Sequence, residues 1–230
     1  MSIKKLAERS AVTNDPNPEA LEYDLDPYPY PDINQTYGRI CLDIETTSTK
    51  WYLPDTKIFL VGIATQTGHR WIFTEKSLQQ AEFQAWLRSF VAHHGRQIGG
   101  HNYKFDVLYL NKQFGTPLTV GWDTLAMVNV FNEHWYKDLK SLATYFYNAD
   151  DYAERLVHSW LKTNIKRVKQ RSFDKVPTPQ IYDYLLCDIE YNLHLSWALE
   201  AHLRMENQWE YPYLEHEVRQ VNMLTEVENT

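Results

Sequence analysis

The sequence predicts an α/β fold, a β-sheet of mixed direction flanked by helices. Three observations carry this. Apolar runs suited to buried strands gather early in the chain, at 40–45, 58–64 and 69–73. Two of them are joined by Gln66-Thr67-Gly68, a connection of hairpin length, which makes that pair antiparallel. Helical periodicity dominates the remainder, interrupted by one further strand-like run at 97–101.

Residues 1–37 have a different character. Five of the ten prolines lie between Pro16 and Pro31, and Tyr-Pro steps alternate through Pro27-Tyr28-Pro29-Tyr30-Pro31. Proline fixes φ and removes a backbone donor, which excludes a regular helix or a central strand. An extended arm is expected, roughly its first 15 residues disordered and its tyrosines pinned to the body.

The globular part begins near Gly38. Ile40-Cys41-Leu42-Asp43-Ile44-Glu45, Ile58–Ala64 and His69–Phe73 read as strands. Leu78, Phe83, Trp86, Leu87 and Phe90 follow a period close to 3.6, so 78–93 is a helix. The short strand Gln97–His101 runs at once into a helical pattern of Phe105, Leu108, Tyr109 and Lys112. Thr119–Trp122 leads to Asp123-Thr124, the capped start of another helix. Leu139, Leu142, Ala143 and Phe146 form one helical face. A basic stretch then holds Arg155, Lys162, Lys166, Arg167, Lys169, Arg171 and Lys175, suited either to a solvated surface helix and loop or to a phosphate-tracking path. Pro177 and Pro179 precede a helix over about 180–205, where Leu185, Ile189, Leu193 and Trp197 recur every four residues. In the tail, Leu214, Val218, Val221, Leu224 and Val227 have amphipathic spacing.

The 230 residues suffice for one domain with a substantial core. No apolar run is long enough to span a bilayer, and the N-terminus has no apolar signal region. Two cysteines, Cys41 and Cys187, lie in apolar runs and are expected as reduced buried thiols. The formal net charge of −7 argues against a protein that coats duplex DNA, whose affinity comes from neutralising phosphates. It is compatible with an enzyme that holds a few nucleotides through metal ions.

The chemistry lies in the carboxylates. Asp43 and Glu45 are two apart on a strand, so both project from one face of the sheet. Like charges so placed call for a hard divalent cation between them. Asp106 falls one turn into a helix that follows a strand, in Gly100-His101-Asn102-Tyr103-Lys104-Phe105-Asp106. Tyr184 and Asp188 are four apart on one face of the late helix, and an acid in that apolar setting requires a partner.

Asp-x-Glu on a first strand, Asn-x-Lys-Phe-Asp at a mid-chain helix start and Tyr-x-x-x-Asp on a late helix, in this order, resemble the three motifs of the DEDDy 3′→5′ exonucleases. The wording His-Asn-Tyr-Lys-Phe-Asp is similar to the exonuclease domain of family A (DNA polymerase I-like) DNA polymerases, especially those of phages. Trp122-Asp123-Thr124-Leu125 and Lys137–Ala143 resemble the intervening helices of that family, and the match runs from about 39 to 205. The resemblance implies a ribonuclease H-like (DnaQ-like exonuclease) fold. It implies Asp43, Glu45, Asp106 and Asp188 as ligands of two Mg²⁺ ions, with Mn²⁺ able to substitute, and Tyr184 as the residue orienting the attacking water. Thr46, His101, Asn102 and Lys104, within or beside the motifs, are the expected substrate contacts. Many relatives carry a base-wedging leucine six residues after the first acid. Thr49 stands there, leaving Trp51 or Leu53 for that task.

The expected activity is hydrolysis of DNA from its single-stranded 3′ end, as proofreading for a polymerase, releasing nucleoside 5′-monophosphates. The expected organisation is an arm over 1–37, an exonuclease domain over 38–207 and a C-terminal helix over 208–230. Such a tail joins exonuclease to polymerase in that family, so a polymerase domain or subunit is the expected partner, in the cytoplasm of a bacterium or a phage-infected host. Two other readings stay open. One is an RNA 3′→5′ exonuclease similar to ribonuclease D, and the other is a non-catalytic interaction module on the same fold.

Overall fold

The computed structural model describes residues 22–149 and 153–228. The expected disorder of the first residues, and the first part of the arm, lie outside these. Within them, six strands form one sheet: β1 (Asp24–Leu25), β2 (Ile40–Thr46), β3 (Ile58–Thr65), β4 (Arg70–Thr74), β5 (Ile98–Gly100) and β6 (Trp122–Asp123). Their order is β1-β4-β3-β2-β5-β6. The pairs β2–β3 and β3–β4 are antiparallel, while β1–β4, β2–β5 and β5–β6 are parallel. The sheet is therefore mixed, as the hairpin and the strand-to-helix passages require.

Helices cover both faces. The first set is α1 (Glu75–Leu78), α2 (Ala81–His94), α3 (Lys104–Phe114) and α4 (Thr124–Phe131); the second is α5 (Leu139–Tyr147), α6 (Glu154–Asn164), α7 (Thr178–Met205) and α8 (Arg219–Glu228). Strand period 2 divides β2 between two cores. Ile40, Leu42 and Ile44 pack with Phe83, Leu87, Phe90, Val107 and Leu110 of α2 and α3. Cys41 points the other way, into a core with Leu185, Leu186 and Ile189 of α7. Asp43 and Glu45 share the parity of Cys41 and so fall on the α7 face.

The close approach of α7 depends on a missing side chain. Gly62 is the register partner of Asp43 across β2–β3. A Cβ there would sit 2.8 Å from Leu185 Cγ. Glycine at 62 lets α7 lie flat beside Asp43, which brings Asp188, one turn beyond Tyr184, toward the sheet.

Within the described residues of the arm, a short piece ahead of the Tyr-Pro steps enters the sheet. Asp24 and Leu25 pair with Trp71 and Ile72 as an edge strand, a position where proline-flanked segments are tolerated. Tyr30 donates to Gln80 Oε1 at 3.2 Å and packs edge-on to Phe83 at 5.7 Å. Tyr37 is buried. Tyr28, by contrast, is 80% exposed. The tail differs from one amphipathic helix. Tyr211 is extended (φ −132°, ψ 129°) before Pro212, so the chain bends in Trp209–Val218 before α8 begins. Val218 is buried and Val221 packs on the α2–α3 core, while Leu224 and Val227 are exposed. Asn222 also caps the β6 approach, accepting from Val120 N at 2.7 Å and donating to Val120 O at 3.0 Å. Three of the tail's five apolar residues, Leu214, Val218 and Val221, are thus spent on its own body.

Both cysteines are buried thiols. Among the described residues, no helix is long and apolar enough to cross a membrane.

Candidate active site

The edge of β2 nearest α7 collects the acids. One ligand oxygen from each of Asp43, Glu45 and Asp188 lies within 4.8 Å of the others. Asp106 joins from α3. Its Oδ1 accepts from Ile44 N at 3.2 Å, and its carboxyl is hydrogen-bonded to that of Asp43. The register of β2 against β3 shifts between Glu45 and Thr46. Such an irregularity bends a strand end and re-aims its side chains.

Burial and mutual repulsion set the electrostatics. Burial raises the Asp43 carboxyl to about 6, against the opposing pull of hydrogen bonds from Ile44 N and Asp106. Glu45 is pushed well above the usual carboxylate range by burial and then by Asp43, Asp188 and Asp106. Burial and Asp43 do the same to Asp106 and Asp188. Asp188 Oδ1 is buried, and no hydrogen-bond partner for it is found among the described residues. Four acids drawn together, one with an orphaned oxygen, are the donor set a hard divalent cation takes. The residues present fit such an ion.

A cleft of about 700 Å³ opens over the acids. Asp43, Glu45, Thr46, Thr47, Ser48, Thr49, Phe105 and Tyr184 line it. Tyr184 reaches it from α7, its ring edge-on to Phe173 at 5.4 Å. Gln170, Arg171, Ser172, Phe173, Asp174 and Lys175 also line it. Ser172 Oγ donates to Thr47 O at 2.9 Å, which latches this segment to the β2 exit. Arg171 Nε is held by Ile165 O at 3.0 Å, which leaves the outer part of the guanidinium for the cleft. The sequence offers one signal for this segment, the basic stretch ending at 175, but not which part of it reaches the acids.

The expected substrate contacts divide. Thr46 lines the cleft, its hydroxyl donated to Ser48 O at 2.8 Å. His101 is turned inward, with Nδ1 2.9 Å from Thr124 Oγ1 and Nε2 2.8 Å from Lys137 O. Both ring nitrogens are used inside the fold, which makes His101 a brace for the turn before α3. Asn102 has φ +54° and an exposed side chain outside the cleft lining. Lys104 Nζ pairs with Glu228 Oε1 at 2.6 Å, between α3 and α8.

Local sequence shows Asp123 only as a helix cap, and it does more. It accepts from Leu125 N at 2.8 Å and Ala126 N at 3.4 Å as that cap, and also from Asn102 N at 3.1 Å and Tyr103 N at 2.9 Å. This buried carboxylate holds the left-handed turn that launches Asp106. Asp123→Ala leaves several buried N–H groups without an acceptor. A loss of about 3 kcal/mol or more is expected in urea unfolding; a loss under about 1 kcal/mol would refute this role.

The site's geometry can be set against known proteins. A family model described as 3′–5′ exonuclease matches residues 17–204. The chain belongs to this exonuclease family. None of the curated proteins compared with the exonuclease matches it. Among solved structures, it is similar to Brucella melitensis NrnC bound to pGG (17% identity, TM-score 0.56), covering 94% of this chain and 90% of that one. NrnC with bound Mg²⁺ gives 17% identity and TM-score 0.54 over the same shares, 94% and 90%. The Trypanosoma brucei RNase D–GMP complex gives 15% identity and TM-score 0.57, covering 84% of this chain and 58% of that one. At these identities the likeness concerns the fold, which is ribonuclease H-like: a mixed sheet flanked by helices.

Proposed function

We propose that the exonuclease hydrolyses single-stranded RNA and short oligonucleotides from the 3′ end, releasing nucleoside 5′-monophosphates. The observation that carries the hydrolytic reading is the convergence of Asp43, Glu45 and Asp188 within 4.8 Å, with Asp106 bonded behind Asp43, at the floor of a cleft. The substrate class draws support from the neighbours, solved as NrnC with pGG and RNase D with GMP. The tail adds to it, since part of the surface expected for a polymerase is folded onto the chain's own body. The wording from His101 to Asp106 favours the other reading, DNA proofreading.

Asp43, Glu45, Asp106 and Asp188 would hold two Mg²⁺ ions. When bound, the ions lower the pKa of a water and stabilise the leaving 3′ oxygen. Tyr184, whose side chain also lines the cleft, would orient the attacking water through its phenol. Arg171 supplies positive charge for a phosphate of the bound strand, and the hydroxyls of Thr46 and Thr47 lie at the exit of the catalytic strand.

Matched oligonucleotides of RNA and DNA, digested side by side with Mg²⁺, test the proposal. The 2′-hydroxyl is the one handle that differs at every residue. Preferential loss of RNA and of the shortest chains is expected. Preference for DNA would return the protein to the proofreading reading, and digestion of neither would refute the hydrolytic one.

A further inference from the structure

The loop between β2 and β3 leaves the strand that carries Asp43 and Glu45, and its first residues, Thr47, Ser48 and Thr49, line the cleft. This loop is fastened. Tyr109 donates its hydroxyl to Ser48 O. Lys112 Nζ donates to Trp51 O at 2.7 Å and to Leu53 O at 3.3 Å. Thr56 Oγ1 donates to Lys50 O at 3.0 Å, and Thr47 N to Lys57 O at 2.9 Å.

The fastening sorts the loop's side chains. Trp51 is half-buried, packed on the α2–α3 core, with the Lys112 ammonium 5.8 Å from its ring centroid. Leu53 is 39% exposed. Tyr52 is 61% exposed, its ring set edge-on to Trp51 at 6.3 Å. Lys50 and Lys57 are exposed on either side. A fastened loop beside the cleft therefore presents one open aromatic ring, with two exposed lysines in the same stretch of chain. That combination is what sequence-tolerant binding of single strands uses, because every base has a face to stack and every linkage has a charge.

We propose that Tyr52 is the stacking residue for a base at least two nucleotides upstream of the terminal one, with Lys50 and Lys57 contacting the phosphates beside it. Neither Thr49, which has no ring, nor Trp51, which is folded inward, can take this position. The proposal rests on the nuclease reading for its substrate, a single strand, and adds where that strand leaves the cleft.

The test compares the full chain with Tyr52→Ala and Tyr52→Trp, which change only an exposed ring. Binding is read first, without hydrolysis, by quenching of a 2-aminopurine placed upstream of the 3′ end in an RNA oligonucleotide with Ca²⁺. The parent should quench the probe, Tyr52→Ala should bind about tenfold more weakly with quenching lost, and Tyr52→Trp should restore both. With Mg²⁺, Tyr52→Ala should raise KM about tenfold on the oligonucleotide and leave kcat unchanged. On a dinucleotide, too short to reach the loop, KM should stay the same. Equal quenching by Tyr52→Ala and the parent would overturn the stacking role while leaving hydrolysis intact. Absence of hydrolysis by the parent, with quenching preserved, would instead sink the catalytic reading alone.

Discussion

Asp43→Asn and Asp188→Asn each lose about a thousandfold or more in kcat/KM for Mg²⁺-dependent release of mononucleotides, yet fold at least as stably as the parent. Both halves of this expectation come from one arrangement. The acids stand where a cation would neutralise them, so removing one ligand removes several kcal/mol of charge stabilisation on the reacting phosphate. Without metal the same acids repel one another at the partly buried floor of the cleft. Asn keeps the shape of Asp and deletes a charge, so the metal-free variants should melt about 2–4 °C higher at pH 8. Activity within tenfold of the parent would refute the ligand assignment. A lower melting temperature with activity lost would assign these acids a structural role instead.

Chelation should lower the melting temperature strongly at pH 8 and weakly at pH 5. Burial holds the Asp43 carboxyl at about 6 and pushes Glu45, Asp106 and Asp188 above the carboxylate range. An acid whose folded pKa lies above its unfolded value near 4 contributes stability that is fully present below that value. The contribution is lost as pH rises through the folded pKa. Metal-free protein therefore weakens from about pH 4 upward, through 6 and beyond. A divalent ion binds only the ionised cluster and so restores more stability as pH rises. With Mg²⁺ in large excess the gain at pH 8 should be about 5 °C or more over a sample in EDTA. A gap of equal size at both pH values would show that the ion binds elsewhere.

Two candidate pairs, Asp43 with Glu45 and Tyr184 with Asp188, are legible in the sequence because each sits in a short window with a readable period, whereas Asp106 is singled out only by the resemblance of its motif. Asp43 and Glu45 alternate on a strand, and Tyr184 and Asp188 are one helical turn apart. These periods decide which face a side chain takes, and they are set within a few residues. The helices over 81–94 and 178–205 are legible for the same reason. The two-residue strands at 24–25 and 122–123 are not, since so short a strand has no period of its own and exists only through its neighbours in the sheet.

The site's second half lies beyond such reading. That Arg171 and Ser172 face the acids, that His101 is consumed by Thr124 and Lys137, and that Lys104 meets Glu228 all depend on which surfaces α7 and α8 cover. Asp123 likewise shows only its local role, while its bonds to Asn102 and Tyr103 cross to another segment. The sequence alone determined the chemical cast: which acids, in which order, on which faces. Only the tertiary structure decided their company, because solvent exposure and hydrogen-bond partners are shared out among segments distant in the chain once the cores have closed.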